Sequence, residues 1–272
     1  MSEAHAREGS LGSSDAGPQR AKVQAQFGAV AAAYVTSAGH AGGEDLDRLL
    51  AWGRALRPRR VLDVATGAGH TALAFAGLGA RVTAFDVTEP MLRTARAFLA
   101  SRDVRNVAFV AGDVDALPFG AGSFDVVTCR IAAHHFANIG PAVRQIAATL
   151  RPGGAFLVQD ILGHDDGEAA AFITEVERRR DPSHVRAYRA IEWKALLRGA
   201  GLTVMDEAEV RKARPWDDWT RRTGMTPEAR ASLEAFVRAA PPGCREAFDF
   251  RLDGDRVESF SDRMILLRAE RD

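Results

Sequence analysis

The chain has 272 residues, of which 46% are hydrophobic, and this is enough to bury a large folded core. Its 36 basic and 36 acidic side chains balance, so no net charge draws it to nucleic acid or to an anionic membrane surface. We therefore expect a small-molecule partner and no nucleic acid.

Cysteine content and hydropathy indicate the cellular compartment of the protein. Cys129 and Cys244 are too few for a disulfide framework or a structural zinc site, so no metal is expected. The sequence shows no signal peptide and no membrane-spanning stretch. These features predict a cytoplasmic protein.

The N-terminal part is predicted to contain a tail and a pair of helices. Residues 1–22 are rich in Gly, Ser and Ala and are expected to be a disordered tail. Residues 23–57 have helical patterns on both sides of a Gly-rich break at Gly42 and Gly43.

Strand and helix patterns then alternate over residues 58–163. The strand segments are "RVLDVA", "RVTAFDV", "VAFVAGDV", "FDVVTCR" and "GAFLVQDI". Runs such as Val61 to Val64 are apolar on both faces, which is typical of parallel strands covered by helices on each side. The pattern predicts a doubly wound α/β sheet.

The alternation stops after this region. Residues 164–200 contain two helical stretches around Asp181-Pro182 and are expected to form a small helical cap. Residues 201–272 resume the strand pattern, and Asp253-Gly254 is a strong hairpin signal. The last strand, around Met264 to Arg268, is therefore expected to enter the sheet antiparallel.

A glycine turn follows the first strand. Gly67 and Gly69 allow the backbone to approach a ligand closely, and Asp86, at the tip of the next strand, is placed to accept hydrogen bonds from ribose hydroxyls. The same spacing also fits the fingerprint of dinucleotide-binding oxidoreductases. The motif predicts a nucleoside site without identifying the nucleoside.

Two further acids separate these alternatives. Asp63, four residues before Gly67, would oppose a pyrophosphate but suits an ammonium group. Asp113, at the tip of the third strand, can accept a hydrogen bond from an adenine amine while Val114 covers the ring. We therefore favour a nucleoside that carries an amino acid.

The segments "VLDVATGAGH", "AFDVTEPML", "GDVDALPF", "FDVVTCRIAAHHF" and "LRPGGAFLVQD" resemble the class I S-adenosylmethionine-dependent methyltransferases. The resemblance is greatest to the type 11 domain group, which includes the ubiquinone and menaquinone biosynthesis methyltransferases, and it covers about Val61 to Asp160. It implies a Rossmann-like, mostly parallel seven-stranded sheet with an antiparallel last strand. It also implies S-adenosyl-L-methionine as the methyl donor.

The resemblance implies a set of donor contacts. The carboxylate and amino ends of the donor are expected along Asp63, Gly67 and Gly69, its ribose at Asp86, and its adenine between Val87, Asp113 and Val114. Further contacts are expected from Tyr34, Ala65, Met91, Gly112 and Arg130. Ala65 departs from the family, which often has glycine there.

Polar residues after the fourth strand are candidates for the chemistry. His135 is the expected base if the acceptor is a hydroxyl or a phenol, with His134 beside it. Arg130 is placed to bind an anionic acceptor or the carboxylate end of the donor. The alternative is that the histidines only pack or cap, because a sulfonium donor is already activated and a base is optional.

The remaining candidates concern the lid and the acceptor. In similar proteins an N-terminal helix folds over the donor, and this implies a lid that contains Tyr34 and His40. His40, Arg180, His184 and Arg186 are candidates for acceptor binding, with the arginines gripping an anion. A solvated helix face is the alternative for the run from Arg178 to Trp193.

The predicted function is methyl transfer from S-adenosylmethionine to a small molecule, at a hydroxyl or ring carbon of a quinone-like or phenolic metabolite. A nucleotide-dependent oxidoreductase and a non-catalytic donor-binding protein are the alternatives. The oligomeric state does not follow from the sequence.

Overall fold

The computed structural model describes residues 16–272, apart from the side chain of Ala38. Its helices are α1 Ala16–Val35, α2 Ala38–Ala41, α3 Glu44–Leu56, α4 His70–Ala76, α5 Glu89–Ala100, α6 Ile139–Thr149, α7 Gly167–Arg180, α8 Ala190–Gly199, α9 Trp216–Arg222, α10 Pro227–Ala239 and α11 Pro242–Ala247. Its strands are β1 Arg60–Val64, β2 Arg81–Asp86, β3 Val107–Ala111, β4 Phe124–Arg130, β5 Leu150–Ile161, β6 Leu202–Pro215, β7 Arg251–Asp253 and β8 Arg256–Arg271.

The strands form one sheet in the order β3-β2-β1-β4-β5-β8-β6. The strands β1 to β5 run parallel, and β8 lies antiparallel between β5 and β6. This confirms the predicted doubly wound sheet with an antiparallel last strand. The short strand β7 pairs only with β8, through a hairpin in which Asp253 faces Arg256, and adds to the seven strands expected.

Helices cover both faces of the sheet because its central strands are apolar on both. In β1, Leu62 and Val64 belong to one buried cluster and Val61 belongs to the other. The second cluster includes Leu49 of α3 and Phe75 of α4. Alternate side chains of a strand point to opposite faces, so a continuous apolar run needs cover on each side.

Helix α1 lies over the carboxyl edge of the sheet. Its buried residues Ala31 and Tyr34 pack with Ala68 and Met91. Residues 16–22, which the sequence assigned to the tail, form the first turns of α1, while residues 1–15 lie outside the described range. Helix α3 packs on the face of the sheet instead of extending the lid.

The segment assigned to one cap, residues 164–200, packs in two different places. Trp193 and Leu197 of α8 lie one helical turn apart and join the core on the sheet, because β6 begins only three residues after α8 ends. Helix α7 instead packs against α9, α10 and α11 through a separate cluster that includes Phe172 and Trp216. The region 201–272 therefore contributes three helices beside its strands.

No helix between residues 16 and 272 combines the length and the apolar character needed to cross a membrane.

Candidate active site

The glycine turn between β1 and α4 forms the floor of a cleft. Gly67 and Gly69 have φ angles of 53° and 88°, in the left-handed region that favours glycine. A β-carbon on Gly67 would meet no atom within 4 Å, so this glycine leaves room for a ligand. A β-carbon on Gly69 would lie 2.8 Å from Cδ1 of Leu99, so this glycine allows α4 to pack against α5.

Ala65 shares this backbone conformation, with a φ of 53°. The left-handed region costs a residue with a β-carbon about 1 kcal/mol, which explains why similar proteins often have glycine at this point. Ala65 lines the cleft, as the donor contacts implied, and alanine is the smallest side chain that can take this place.

Asp86 fixes the turn to the end of β2. Its Oδ2 accepts a hydrogen bond from the backbone N–H of Gly67 at 2.9 Å, and its Oδ1 accepts one from that of Thr88 at 2.8 Å. Burial raises the pKa of the carboxyl. Asp86 lines the cleft, so the acid expected at the ribose also holds the turn that receives the donor.

Asp63 lies behind the cleft wall. Its Oδ2 accepts from the hydroxyl of Thr66 at 2.6 Å, and its Oδ1 accepts from the hydroxyl of Thr128 at 2.7 Å. Burial raises the pKa of Asp63 to about 6, because the carboxylate loses water. Neither Asp63 nor Gly69 belongs to the cleft lining, although the resemblance implied that both contact the donor.

The expected adenine end of the cleft is assembled from two strand tips, those of β2 and β3, and from α5. Val87, Met91, Gly112 and Val114 line it together with Asp113. A side chain at Gly112 would strike the Phe85 ring, with its β-carbon only 2.7 Å away. The cleft contains about 1110 Å³ of empty space, including its opening to solvent, and its lining fits an adenosyl group.

Helix α1 lies over this end of the cleft, and it begins before residue 23, where the expected lid helices were taken to start. Arg20 donates to Oδ2 of Asp113 at 3.4 Å, and Gln24 donates to the Val87 carbonyl at 2.8 Å. Gln19 reaches the carbonyl of His135 at 3.0 Å. Gln19 and Arg20 lie in the segment assigned to the tail, where no hydrophobic period marks a helix.

Tyr34 and His40, the expected lid residues, line the cleft. The Tyr34 carbonyl accepts from Nε2 of His70 at 3.0 Å, which ties the end of α1 to α4. Burial, and then the charge of Arg130, hold the pKa of His40 well below its usual range, so its imidazole is neutral.

Arg130 lines the cleft and holds neighbouring segments in place. Its Nε donates to Gln159, its Nη1 to the His40 carbonyl and its Nη2 to Asp45, at 2.8, 2.9 and 2.9 Å. Lys212 also contacts Asp45 and donates to the carbonyl of Gly39. These bonds connect α2 and α3 to the sheet and use three of the five N–H donors of the guanidinium group.

The two adjacent histidines have different environments. His134 pairs with Asp160, whose Oδ1 lies 2.5 Å from Nδ1 of the ring. Burial opposes protonation of His134, but the Asp160 carboxylate outweighs it and raises the pKa. His135 lines the cleft with its Nδ1 3.1 Å from the Ser183 carbonyl, and burial followed by the charge of His134 lowers its pKa to about 4. His135 is therefore neutral at neutral pH.

A second cavity, here called the side chamber, lies next to the cleft. It contains about 500 Å³ of empty space, including openings, and its charged and histidine lining consists of His40, His134, His135, Glu177, Arg180, Asp181, His184, Arg214, Arg222 and Asp262. The cleft and the side chamber share Phe27, Tyr34, His40, Ile131 and His135. The two spaces are therefore neighbours separated by one wall.

The structure brings three of the four predicted acceptor residues together there. His40, Arg180 and His184 line the side chamber, whereas Arg186 pairs with Glu192 and stacks over Tyr188 away from it. Arg214 and Arg222 were missed, because β6 and α9 are distant in the sequence. The pattern "RPWDDWTRR" was the only signal for them.

A glycine turn at the carboxyl edge, an acid at each of two strand tips and a lid helix are typical of a nucleoside-binding enzyme on a Rossmann-like sheet. Comparison with known proteins identifies the family. A methyltransferase-domain family model matches residues 61–154. The protein named uncharacterized methyltransferase YcgJ, from Bacillus subtilis, is 34% identical over 230 residues, which are 84% of this chain and 91% of its own length.

The crystal structure of the Bacillus subtilis YcgJ protein superposes with a TM-score of 0.80, at 32% identity, covering 84% of this chain and 97% of that one. A demethylmenaquinone methyltransferase of Thermus thermophilus is 37% identical over 128 residues, which are 42% of this chain and 58% of its own length. The chain belongs to the S-adenosylmethionine-dependent methyltransferases, and S-adenosylmethionine is its methyl donor. This confirms the predicted family, activity and cofactor and excludes the oxidoreductase alternative.

Proposed function

We propose that this enzyme is cytoplasmic and methylates a hydroxyl or ring carbon of a phenolic or quinone-like small molecule, with His135 as the base. The observation that carries the proposal is the position of His135 in the wall between the donor cleft and the side chamber. A proton acceptor placed there is within reach of both substrates.

The donor supplies an activated methyl group, and the residues of the chain supply position and a proton acceptor. Donation from Nδ1 of His135 to the Ser183 carbonyl leaves Nε2 as the basic nitrogen. A pKa of about 4 makes His135 a weak base, which suits a hydroxyl that becomes acidic only as its oxygen gains the methyl group. Phe27 packs edge-on against the ring, with 5.0 Å between centroids, and helps to exclude water.

The choice of acceptor is supported by relatives and by composition. The Thermus thermophilus relative is named as a demethylmenaquinone methyltransferase, and its match covers 42% of this chain. Equal numbers of basic and acidic residues favour a small molecule over a nucleic acid. The cytoplasmic location stays a prediction from the sequence. Cys129 and Cys244 are both free thiols, as expected of a protein in a reducing compartment.

His135→Ala tests the base. We expect kcat to fall about 100-fold or more, the usual contribution of a general base, while the affinity for S-adenosylhomocysteine changes by less than about threefold. Methyl transfer from isotope-labelled donor to a panel of naphthoquinols and catechols gives kcat, and calorimetry gives the affinity. In the unmodified enzyme kcat should hold from pH 8 down to about pH 5, because His135 stays neutral above its pKa of about 4.

His164→Ala is the matched control, since this histidine contacts Phe248 outside the cleft and the side chamber. A His135→Ala enzyme with an unchanged kcat would remove the base from the proposal. It would leave an enzyme that acts by orientation and exclusion of water alone.

A further inference from the structure

The side chamber brings three arginines together away from bulk solvent. Arg180 comes from the end of α7, Arg214 from the end of β6 and Arg222 from the end of α9. Nη1 of Arg214 and Nη1 of Arg222 both approach Gly39, at 3.3 and 3.7 Å from the place of its absent β-carbon. Guanidinium groups that converge on one cavity repel each other unless anions lie between them.

The three acidic residues of the side chamber neutralise the arginines to different extents. Asp262 accepts from Nε of Arg214 at 2.5 Å and neutralises that arginine. Glu177 lies 3.5 Å from Arg180, and burial raises the pKa of Glu177 to about 7, so near neutral pH it is partly uncharged. The charge of Asp181 also acts on Arg180, but Asp181 directs its two oxygens at the Ser183 hydroxyl, at 2.5 Å, and at Nε2 of His135, at 4.0 Å. Arg180 is therefore only partly neutralised.

Arg222 is the least neutralised of the three. Its carboxylate partner, Asp218, lies at 3.2 Å but is 58% exposed, where water weakens the attraction. Burial, and then the charges of Arg180 and Arg214, lower the pKa of Arg222. An anion in the side chamber would relieve this repulsion.

His184 adds an unused hydrogen-bonding atom to the same cavity. It is 5% exposed, and its Nε2 is buried without a hydrogen-bond partner among residues 16–272. Burial, and then the charges of His134 and His135, lower the pKa of His184 far below its usual range, so the ring is neutral. A buried polar atom without a partner is costly, and a ligand oxygen would satisfy it.

Metal binding does not account for His134, His135 and His184. Within the described range, no group of three or more His, Cys, Asp or Glu residues is arranged to hold a metal ion. His134 is paired with Asp160, and Nδ1 of His135 is occupied by Ser183. The side chamber is therefore better matched to an organic anion.

We propose that the side chamber binds a carboxylate of the methyl acceptor, with Arg180 and Arg222 as its charge partners and Nε2 of His184 as a hydrogen-bond donor. This inference rests on the proposed function, because it assigns the substrate class of that same site. The acceptor is then a small hydroxylated aromatic acid. Its carboxylate lies in the side chamber, and its reacting atom lies beside His135, where the side chamber and the donor cleft share their lining.

Two probes that differ only in charge test the inference. We would measure the binding of 4-fluorobenzoate and 4-fluorobenzamide to the full chain by fluorine NMR, with and without saturating S-adenosylhomocysteine. We expect the carboxylate to bind about tenfold more tightly than the amide, as charge-assisted hydrogen bonds to arginine imply. Arg180→Gln and Arg222→Gln should each abolish most of this preference, and Arg222→Lys should restore part of it.

Arg221→Gln is the matched control. Arg221 is the neighbour of Arg222, also pairs with Asp218, and has a side chain that is 75% exposed outside the side chamber. Its replacement should leave the preference for the carboxylate unchanged, and thermal melting of each variant establishes that it is folded.

Equal affinity for the two probes, or no binding of either, would overturn the inference. A folded Arg222→Gln variant that keeps the full preference would also overturn it. The two probes are also compared without S-adenosylhomocysteine, so the inference can be judged even if that compound does not bind. Its failure to bind would count against the proposed function instead.

Discussion

Asp45→Ala is expected to lower the free energy of unfolding by about 3–5 kcal/mol, because it removes one partner from a buried ionic network. Asp45 is 1% exposed and contacts Arg130, Lys212 and Gln159 at 2.9, 3.1 and 2.8 Å. Burial opposes its ionisation, yet Arg130 and Lys212 hold its pKa below the usual range. Alanine would leave Arg130 and Lys212 without the buried carboxylate that they now contact.

The same substitution is expected to weaken donor binding. Arg130 and Lys212 donate to the carbonyls of His40 and Gly39, so the network also holds α2 beside the cleft. Urea unfolding gives the stability, and calorimetry with S-adenosylhomocysteine gives the affinity.

Asp47→Ala is the control for Asp45→Ala. Asp47 lies in the same first turn of α3 but is exposed, so it tests the effect of removing a charge from this helix end. Similar losses of unfolding free energy in Asp45→Ala and Asp47→Ala would show that the buried ionic network does not stabilise the fold beyond the effect of a helix-end charge.

Asp63→Asn is expected to stabilise the donor-free protein at pH 7.5 by about 2–3 kcal/mol, while weakening donor binding about tenfold. Burial raises the pKa of Asp63 to about 6 from a model-peptide value near 4, so keeping it ionised costs folding energy at neutral pH. An asparagine amide can still exchange hydrogen bonds with Thr66 and Thr128, whose hydroxyls now contact the carboxylate. It cannot attract the donor's ammonium group.

The sign of the pH dependence follows from the raised pKa. A carboxyl whose pKa is higher in the folded protein contributes stability below about pH 4 and loses it as the pH rises through about 6. The advantage of Asp63→Asn should therefore grow between pH 4 and pH 7, and urea unfolding across that range measures it.

Asp125→Asn provides a control with the opposite sign. Arg151 and the backbone N–H groups of Arg59 and Arg60 lower the pKa of Asp125 against the effect of burial, so its carboxylate stabilises the fold above about pH 4. Its replacement should destabilise the protein at pH 7.5. An Asp63→Asn protein that is also less stable at this pH would contradict the conclusion that the ionised, buried Asp63 carboxylate lowers the stability of the fold.

The sheet and the donor cleft could be predicted because their signals are local. Gly67 needs a positive φ within one turn, and Asp86 and Asp113 end strands whose tips must meet at one edge of a parallel sheet. Chain order and strand pattern therefore predict that Gly67, Asp86 and Asp113 lie together at this edge, and all three line the cleft.

The lid contacts and the side chamber could not be predicted because they depend on pairs of residues far apart in the chain. Asp45 and Arg130 are 85 residues apart, and nothing near either residue indicates its partner. Arg222 contributes to the same cavity as Arg180 because Arg180, at the end of α7, stacks over Trp219 of α9 and donates to its carbonyl. Asp63 was correctly placed in its strand, but its contact with the Thr128 hydroxyl depends on the neighbouring strand β4.

The central claim is that S-adenosylmethionine binds in the donor cleft with its methyl group at the wall shared with the side chamber, and a crystal structure with S-adenosylhomocysteine tests it most directly. We expect the ribose hydroxyls at Asp86, the adenine between Val87 and Val114, and the sulfur directed at the wall that contains Phe27 and His135. A sulfur atom directed away from this wall, or an adenosyl group bound elsewhere, would contradict the claim.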